Sequence, residues 1–452
     1  MYAQKMLAQK YSPGLTCCFS LAIVLCLAAC GGSGTAVPTI SADQATSNPL
    51  AISSAKSSLT RNPLPVASDA DVAAAVAGNT EFALKALPLL DAIGDSNLVY
   101  SPYSITQALA MTSAGAKGET LTGIEQALAF QLQQNRLFPA LNRLDLQLAE
   151  KTSAAGNTKL PSLNIANALW VQQAYSLQPA YLDALGVNFG AVVNLLDFTK
   201  APEASRLSIN SWVEQQTQQK IKNLLGPNDV SSNTRVVLTN AIWFKADWAT
   251  PFTAEKTSSQ NFTDRKGNTR SLPFMSQDIR LPYVQGKSYQ AVELPYVDNK
   301  LSMLLIMPDA GKFDDFVQNL NSTTMSQISA ALKEQYVALS LPKFNFSSAA
   351  TLADVLGKLG MSAAFDASKA DFSGMTGNRD LSVSAIVHKA FINVDEKGTE
   401  AAAATGVVVG VTSVIVDTPI KVTLDHPFLF MIRDRQTGLI IFIGKLMNPA
   451  GN

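Results

Sequence analysis

His388 and His426 are the only histidines in the 452-residue chain, and they restrict the catalysis that the sequence can support. A Ser-His-Asp or Cys-His mechanism needs a histidine beside a nucleophile that is presented for attack. Both histidines lie in apolar, strand-like runs, where a histidine is more often structural than a general base. The chain contains no G-x-S-x-G, H-E-x-x-H or phosphate-binding glycine motif. The sequence therefore gives no positive evidence for an enzyme.

The four cysteines are confined to the first 30 residues, at Cys17, Cys18, Cys26 and Cys30. No disulfide framework or thiolate metal site can form beyond them, so we expect no metal and no cofactor. The 35 basic and 35 acidic residues balance to zero net charge, which argues against a nucleic-acid partner. A hydrophobic content of 47% is ample for a large core.

The amino terminus has the pattern of an export signal. After Lys5 and Lys10 no charge occurs until Asp43, and residues 15–29 form an apolar run that is short for a membrane span. This run ends in Leu27-Ala28-Ala29-Cys30-Gly31, which resembles the bacterial lipoprotein box. The alternative is an ordinary secretory signal followed by a chance cysteine.

The lipoprotein resemblance implies a signal peptide over residues 1–29 and a lipid on Cys30, the first residue after cleavage. More than one acyl chain would make the anchoring to a membrane stable. The expected location is the cell envelope, with the domain facing the periplasm or the cell surface. Gly31 is not an aspartate-type retention cue, which favours the outer membrane where the cell has one.

Residues 31–68 contain eight serines, four prolines, three charged side chains and no aromatic residue. Such a composition buries too little apolar surface to offset the entropy of ordering, so it predicts a flexible tether.

The remainder, residues 69–452, is interpreted as one domain. Its first half favours helices and its second half strands, which predicts an α+β fold. We predict helices over residues 69–90, 209–225 and 351–360, with Thr351 and Asp354 capping the last, and strands over 236–244, 301–307, 337–341, 381–394, 421–433 and 439–446.

The segment 395–420 is unusual for a core element. No charge occurs between Glu400 and Asp417, the front half is made of small residues, and the rear half is β-branched. Side chains so small fill little volume, although a buried hairpin remains one interpretation. The other is an exposed loop poised to become a strand, because small residues fit between existing strands and every amide is free to pair.

Several motifs together make the chain resemble a serpin. The run from Glu396 to Thr405 resembles the hinge of an inhibitory serpin, and the run from Val422 to Ile432 resembles the signature near the carboxyl end of that family. The resemblance covers about residues 69–448. Four further stretches agree in order, at residues 97–105, 167–170, 238–248 and 301–308.

The resemblance implies three β-sheets, eight or nine helices and an exposed reactive loop at about residues 396–420. It implies that a target protease attacks the loop, that the freed hinge inserts into the central sheet as a new strand, and that the attached protease is distorted before it can deacylate. The residues that match the family's sheet-opening region are Ser101, Ser104, Asn240, Trp248 and His388.

The hinge composition favours an inhibitor, because bulky, charged or proline residues there would slow insertion. The hinge residues are Glu396, Gly398, Thr399, Glu400, Ala401, Ala402, Ala403, Ala404 and Thr405. A non-inhibitory serpin that acts as a membrane-anchored binding module is the alternative function.

Counting sixteen residues past the hinge glutamate, as in typical serpins, places the scissile bond at Thr412-Ser413, with the two adjacent bonds as alternatives. Residues 398–420 contain no lysine, arginine, aromatic residue, leucine or methionine. By elimination the expected partner is a serine protease with a shallow pocket, elastase-like or subtilisin-like. A papain-like cysteine protease stays an alternative, and the inhibitor itself is expected to be a monomer.

Overall fold

The computed structural model of the chain describes residues 48–91, 96–152, 160–399 and 418–451. Eight of the described helices have seven residues or more, and α9, a π-helical turn and α10 form a ninth, interrupted helical stretch. The helices are α1 (Asp69–Asp91), α2 (Pro102–Ser113), α3 (Gly118–Ala127), α4 (Gln134–Lys151), α5 (Pro179–Phe189), α6 (Pro202–Gln216), α7 (Phe313–Asn319), α8 (Ser322–Ala331), α9 (Ala353–Leu356), α10 (Ser362–Phe365) and α11 (Ser373–Thr376).

Seven strands form one mixed sheet in the order β1-β4-β3-β5-β13-β12-β11. Its long central strands, β5 and β12, are parallel and pair directly over eight register positions. The strands of this sheet are β1 (Ser53–Ala55), β3 (Ser162–Gln172), β4 (Val193–Leu196), β5 (Val236–Asp247), β11 (Phe344–Thr351), β12 (Val383–Val394) and β13 (Gly398–Thr399).

The other nine described strands form a second hydrogen-bonded network that β7 divides into two parts. Residues 269–283 of β7 pair with β6 and β10, whereas its last three residues pair with β8. With the seven-stranded sheet, these two parts account for the three sheets expected. The strands are β2 (Leu98–Tyr100), β6 (Ser258–Thr263), β7 (Thr269–Gln285), β8 (Tyr289–Pro295), β9 (Leu301–Pro308), β10 (Lys333–Pro342), β14 (Ile420–Thr423), β15 (Phe428–Asp434) and β16 (Ile440–Leu446).

Strand β5 is buried on both faces, which explains its almost continuous apolar sequence. On one face Ile242 and Phe244 join a large core cluster that contains residues of both sheet networks. On the other face Val237 and Ala241 pack with Ile209 of α6. The centre of the seven-stranded sheet is therefore enclosed, and a strand can enter it only if its neighbours separate.

The predicted flexible tether is wrong for residues 48–68, which we call the N-terminal segment. Its strand β1 pairs antiparallel with β4 and extends the edge of the seven-stranded sheet. The Leu50 amide donates to Ser208 on α6, and the Ser57 hydroxyl donates to Asp183 on α5. Serine hydroxyls and backbone groups at a sheet edge make these contacts, so a composition low in apolar residues did not reveal them.

Three predicted boundaries differ from the structure for local reasons. Helix α6 stops at Gln216 because Gln218 and Gln219 adopt positive φ angles, so residues 217–225 turn back instead of continuing the helix. Thr351 does not cap a helix because it ends β11 and pairs with Val387; no side chain caps α9. The strand predicted over 421–433 is split into β14 and β15, since Pro427 lacks the amide hydrogen that a ladder needs.

Candidate functional site

The described part of the hinge already lies inside the sheet. Strand β13 is antiparallel to both of its neighbours, with Gly398 opposite Asp247, and Thr399 opposite Ala246 on β5 and Val394 on β12. Beyond β13, β5 and β12 pair with each other directly. The hinge therefore fills the first positions of a gap that is closed from the level of Trp243 and Phe391 onward.

Gly398 has no room for a side chain. A Cβ at this position would lie 2.0 Å from the Ala246 carbonyl oxygen and 2.7 Å from the Asp247 Cα. Both obstacles are backbone atoms of the paired strand, which cannot move aside as a flexible side chain would. Glycine is thus required for the chain to enter the sheet at this point.

Trp248 contacts the turn before β13, where the hinge enters the sheet; we call this place the entry point. Its ring stacks on Tyr296 with the ring centroids 4.7 Å apart and the planes within 8°. Its indole nitrogen donates to the Asp395 carbonyl at 3.0 Å, and its backbone amide donates to the Lys397 carbonyl at 2.8 Å. The hydroxyls of Tyr296 and Thr399 share a buried hydrogen bond of 2.7 Å, so both ends of the turn before β13 are held.

Glu396 secures the turn from its outer side. Its carboxylate accepts from the Lys343 ammonium at 2.8 Å and from the Thr257 hydroxyl at 2.8 Å. Partial burial alone would raise the pKa of Glu396, but these hydrogen bonds outweigh burial and hold the pKa below its ordinary value. The hinge glutamate therefore ties the hinge, through its ion pair with Lys343, to the segment that joins β10 to β11.

Asn240 and His388 join β5 to β12 in the closed region below the hinge. They are register partners, and the His388 Nδ1 hydrogen bonds directly to the Asn240 Oδ1. The His388 Nε2 accepts from the Ser101 backbone amide at 3.1 Å. These two bonds assign the proton to Nδ1 and leave the imidazole neutral.

Burial lowers the pKa of His388 to about 3, although the contact with Asn240 opposes this effect. The side chain is 1% exposed and no carboxylate lies among its hydrogen-bond partners. A base this weak and inaccessible cannot take a proton from a nucleophile near neutral pH. The structure thus gives His388 a role in holding the strands together.

Helix α2 presents two serines beneath the same strands. Ser101 caps the helix by accepting from the Ser104 amide, and its own hydroxyl donates to the Ile441 carbonyl at 2.6 Å. The Asn240 amide donates to the Ser104 hydroxyl at 2.6 Å. Asn167 on β3 completes the group, because its Oδ1 accepts from Ser104 and from Asn240. One polar network therefore spans β3, β5 and β12.

The five predicted sheet-opening residues fall into two groups in the structure: the polar network of Ser101, Ser104, Asn240 and His388, and the entry point at Trp248. Of the predicted hinge, Glu396, Gly398 and Thr399 lie at that entry point. The remaining predictions lie outside the described residues: Glu400, Ala401, Ala402, Ala403, Ala404, Thr405, the bond Thr412-Ser413, and Cys30.

Asn167, Tyr296 and Lys343 act in the site but were not predicted as site residues. Asn167 lies in a stretch that carries the family resemblance, so a polar residue at the centre of a buried strand was an available signal. Tyr296 and Lys343 are more than 50 residues away in sequence from the hinge atoms that they contact. Such pairings are properties of the tertiary fold alone.

Over the described ranges, no cluster of histidine, cysteine, aspartate and glutamate side chains has the arrangement of a metal site. Over the same ranges, no helix has the length and apolarity needed to cross a bilayer.

The described fold combines a seven-stranded mixed sheet, whose short strand β13 lies between the ends of β5 and β12, with a second strand network and helices. The profile of the serpin (serine protease inhibitor) family matches residues 77–449. The chain belongs to the serpin family.

Two sequence relatives and one solved structure show the extent of the similarity. An uncharacterised serpin-like protein of Thermococcus kodakarensis is 38% identical over 78% of this chain and 81% of its own length. Leukocyte elastase inhibitor A of Mus musculus is 35% identical over 82% of this chain and 98% of its own length. The native-state crystal structure of the thermophilic serpin tengpin superposes with a TM-score of 0.75 at 27% identity, covering 87% of this chain and 97% of tengpin.

Proposed function

We propose that this serpin is a suicide-substrate inhibitor of serine proteases that traps its target by inserting the cleaved reactive loop between β5 and β12. The single observation that carries the proposal is β13, which is antiparallel to both strands and lies at the open end of the gap. A longer insertion needs no change of direction or register.

The register identifies what each hinge residue would meet. If the hinge continued past Thr399 in its present pairing, Ala401 would lie opposite Phe244, Ala403 opposite Ile242 and Thr405 opposite Asn240. The odd-numbered residues share the face of Thr399, which is the face of Ile242, Phe244 and the core cluster that they join. Alanine at 401 and 403 adds little volume beside large buried side chains, whereas a bulky residue would overpack that core.

Thr405 would arrive at the polar network. Extending the β12 pairing from Val394 and Thr399 places Thr405 opposite His388 as well as Asn240. A hydroxyl at this position can donate and accept, so it can replace part of the Asn240–His388 contact that insertion must break. Thr405, the next polar side chain on this face after Thr399, would thus meet the level of Asn240 and His388.

Insertion replaces one ladder by two. The eight register positions where β5 and β12 pair would be exchanged for pairings of the new strand with each of them. Each backbone hydrogen bond gained contributes about 1 kcal/mol net. The native protein is then kinetically held, and cleavage releases it.

The proposed target is an elastase-like protease attacking Thr412-Ser413. In the acyl-enzyme the target's serine oxygen forms an ester with the Thr412 carbonyl, and the bond to the Ser413 nitrogen breaks. The absence of basic and large side chains from residues 398–420 supports a shallow specificity pocket. The similarity to leukocyte elastase inhibitor A is consistent with this class.

The proposed location is the cell envelope, through a lipid on Cys30. The support is the small-small-Cys sequence after the apolar run. Metabolic labelling with a fatty acid should mark the protein, and Cys30→Ser should abolish the label. Unlabelled wild-type protein would exclude the lipid anchor without affecting the inhibitory mechanism.

The decisive experiment incubates the protein with a panel of elastase-like, subtilisin-like and papain-like proteases. An inhibitor gives a complex that survives SDS and whose mass equals that of the protease plus the amino-terminal fragment of the inhibitor. A panel that yields only cleaved protein would contradict inhibition. Mass spectrometry of the released carboxyl-terminal fragment tests the bond, and a cut before Ala404 or after Ile415 would refute the register.

Ala403→Pro tests insertion itself, since proline removes the amide that would pair within the sheet. The variant should become a substrate that is cleaved without forming complex. Ala403→Ser is the matched control, because it keeps the amide and a small side chain and should retain inhibition. Equal complex formation by both variants would refute insertion along this strand.

A further inference from the structure

Four of the six large hydrophobic side chains that are exposed among the described residues lie on the N-terminal segment. They are Ile52, Leu59, Leu64 and Val66, and the last two are 83% and 92% exposed. A fifth, Val192, precedes the β4 residue that pairs with Ala55 of this segment. Single exposed hydrophobic residues are ordinary, but this concentration within 15 positions marks an interaction surface.

The surface is fixed in place by the contacts beneath it. Arg61 bonds Asn142 at 2.8 Å and forms an ion pair with Asp145 at 2.8 Å, both on α4. The Asn62 amide donates to the Val187 carbonyl on α5 at 2.9 Å, and the Leu64 amide donates to the Asn62 side chain at 3.0 Å. Arg61 and Asn62 thus bind the domain, whereas Leu64 and Val66 face outward.

The charge of the segment is one-sided. Residues 48–68 contain two basic residues, Lys56 and Arg61, and no acidic residue. Lys56 is exposed. Arg61 is neutralised by its ion pair with Asp145, so the positive charge of this surface comes from Lys56. Apolar side chains near an exposed basic residue suit a bilayer that contains anionic phospholipid.

The segment also lies close to the proposed anchor in sequence. Seventeen residues separate Cys30 from Asn48. If they form the coil that their composition predicts, their root-mean-square span is about 23 Å. A lipid on Cys30 would therefore keep the N-terminal segment at a high effective concentration near the membrane surface.

We infer that the outer face of the N-terminal segment rests on the phospholipid surface to which the protein is anchored. The inference depends on the lipid anchor proposed above. Strand β1 is the edge of the seven-stranded sheet, and β13 lies four strand positions from it, about 19 Å across the sheet. Along the strands, Asp247 lies nine residues beyond the level of Ala55, about 30 Å. In this orientation β13, where the described hinge ends, lies away from the bilayer.

The test uses the lipidated protein in vesicles of phosphatidylethanolamine and phosphatidylglycerol. The chain has no cysteine after Cys30, whose thiol the lipid blocks, so one introduced cysteine can be labelled alone. Leu64→Cys carries an environment-sensitive fluorophore on the proposed contact. Ser347→Cys is the matched control, because Ser347 is exposed on β11, the opposite edge of the same sheet.

We expect lipids with a quencher on the acyl chain to quench the label at position 64 and to spare the label at 347. Equal quenching at both positions, or none at 64, overturns the orientation and leaves the anchor intact. If the label at position 64 is already shielded from solvent in the Cys30→Ser protein without vesicles, then protein and not lipid covers this surface. That result would also overturn the proposed orientation. If Cys30 carries no lipid, the anchor fails and the inference fails with it, whereas SDS-stable complex formation is unaffected.

A charge variant provides a second readout. Replacing Leu64 and Val66 by glutamate, with the label moved to Leu59→Cys, should reduce quenching at position 59 because the segment is repelled from anionic lipid. Replacing Asn345 and Ser347 by glutamate is the control and should change nothing. Unchanged quenching at 59 in the first variant contradicts the contact. Both pairs of side chains are exposed, so folding should be preserved.

Discussion

Asn240 and His388 are paired twice, once through the ladder that joins β5 to β12 and once through their side chains. No strand can enter between β5 and β12 at this level without breaking both connections. The contact is therefore part of the barrier that keeps the native sheet closed. Its strength should control how fast the loop inserts without cleavage.

Asn240→Ala should destabilise the native protein by about 2 kcal/mol, because it leaves the His388 Nδ1 proton without its buried acceptor and removes the amide that donates to Ser104. The expected results are a lower urea midpoint and faster loss of inhibitory activity on warming. Asn345→Ala, at an exposed position of β11, is the control and should change stability by less than about 0.5 kcal/mol. Similar midpoints for the two variants would contradict a role for the network.

Acid should weaken the native state through His388. Its folded-state pKa, about 3, lies below the unfolded value of about 6.5, so the unfolded chain binds the proton more readily in this window. The stabilisation is complete above the unfolded pKa and is lost as the pH falls. Between pH 7 and pH 5 the loss should be about 2 kcal/mol, measurable as a fall in the urea midpoint.

His426 acts in the opposite direction. Burial opposes the shift, but contacts with Asp425 and the Pro308 carbonyl raise the pKa of His426, so its contribution is present at low pH and is lost as the pH rises. Comparison with His388→Gln separates the two effects. In this variant the urea midpoint should fall much less between pH 7 and pH 5 than in the wild type. An equal fall in both proteins would mean that another group controls acid sensitivity.

Gly398→Ala should expel the hinge from the sheet, because its Cβ would collide with the backbone of β5. Overpacking of this kind costs about 1–3 kcal/mol. Since the first step of insertion is obstructed, more molecules should be cleaved for each complex formed. The control is Gly357→Ala, where the backbone is helical and no atom lies within 4 Å of the new Cβ. A stoichiometry shared by both variants and the wild type would refute the steric argument.

Arg61→Ala should lower stability by about 1–2 kcal/mol, because it removes an ion pair with Asp145 and a donor to the buried Asn142. The measurement is the urea midpoint, together with protease sensitivity of residues 48–68. Lys56→Ala, at an exposed position of the same segment, should be nearly neutral. Rapid cleavage in the wild-type segment would argue against its docking.

The sequence predicted correctly those helices and strands whose apolar pattern depends only on their own residues. Helix α1 and strands β5 and β9 were predicted because apolar periodicity depends on the chain segment alone. Elements that depend on distant partners were missed. Strand β1 is three small or polar residues that form a strand only because β4 offers an edge, and Gln218 and Gln219 gave no local sign of reversing the chain.

The sequence by itself was sufficient for the serpin resemblance, the small-residue hinge and the presence of only two histidines, both in apolar, strand-like runs. These follow from residue types in order along the chain, which no tertiary contact can alter. Only the tertiary structure decided that Glu396 is clasped by Lys343, that Gly398 lies against the β5 backbone, and that His388 is held neutral beside Asn240. Each of these depends on atoms that are far apart in sequence and meet because the sheet closes, so their energies exist only in the folded chain.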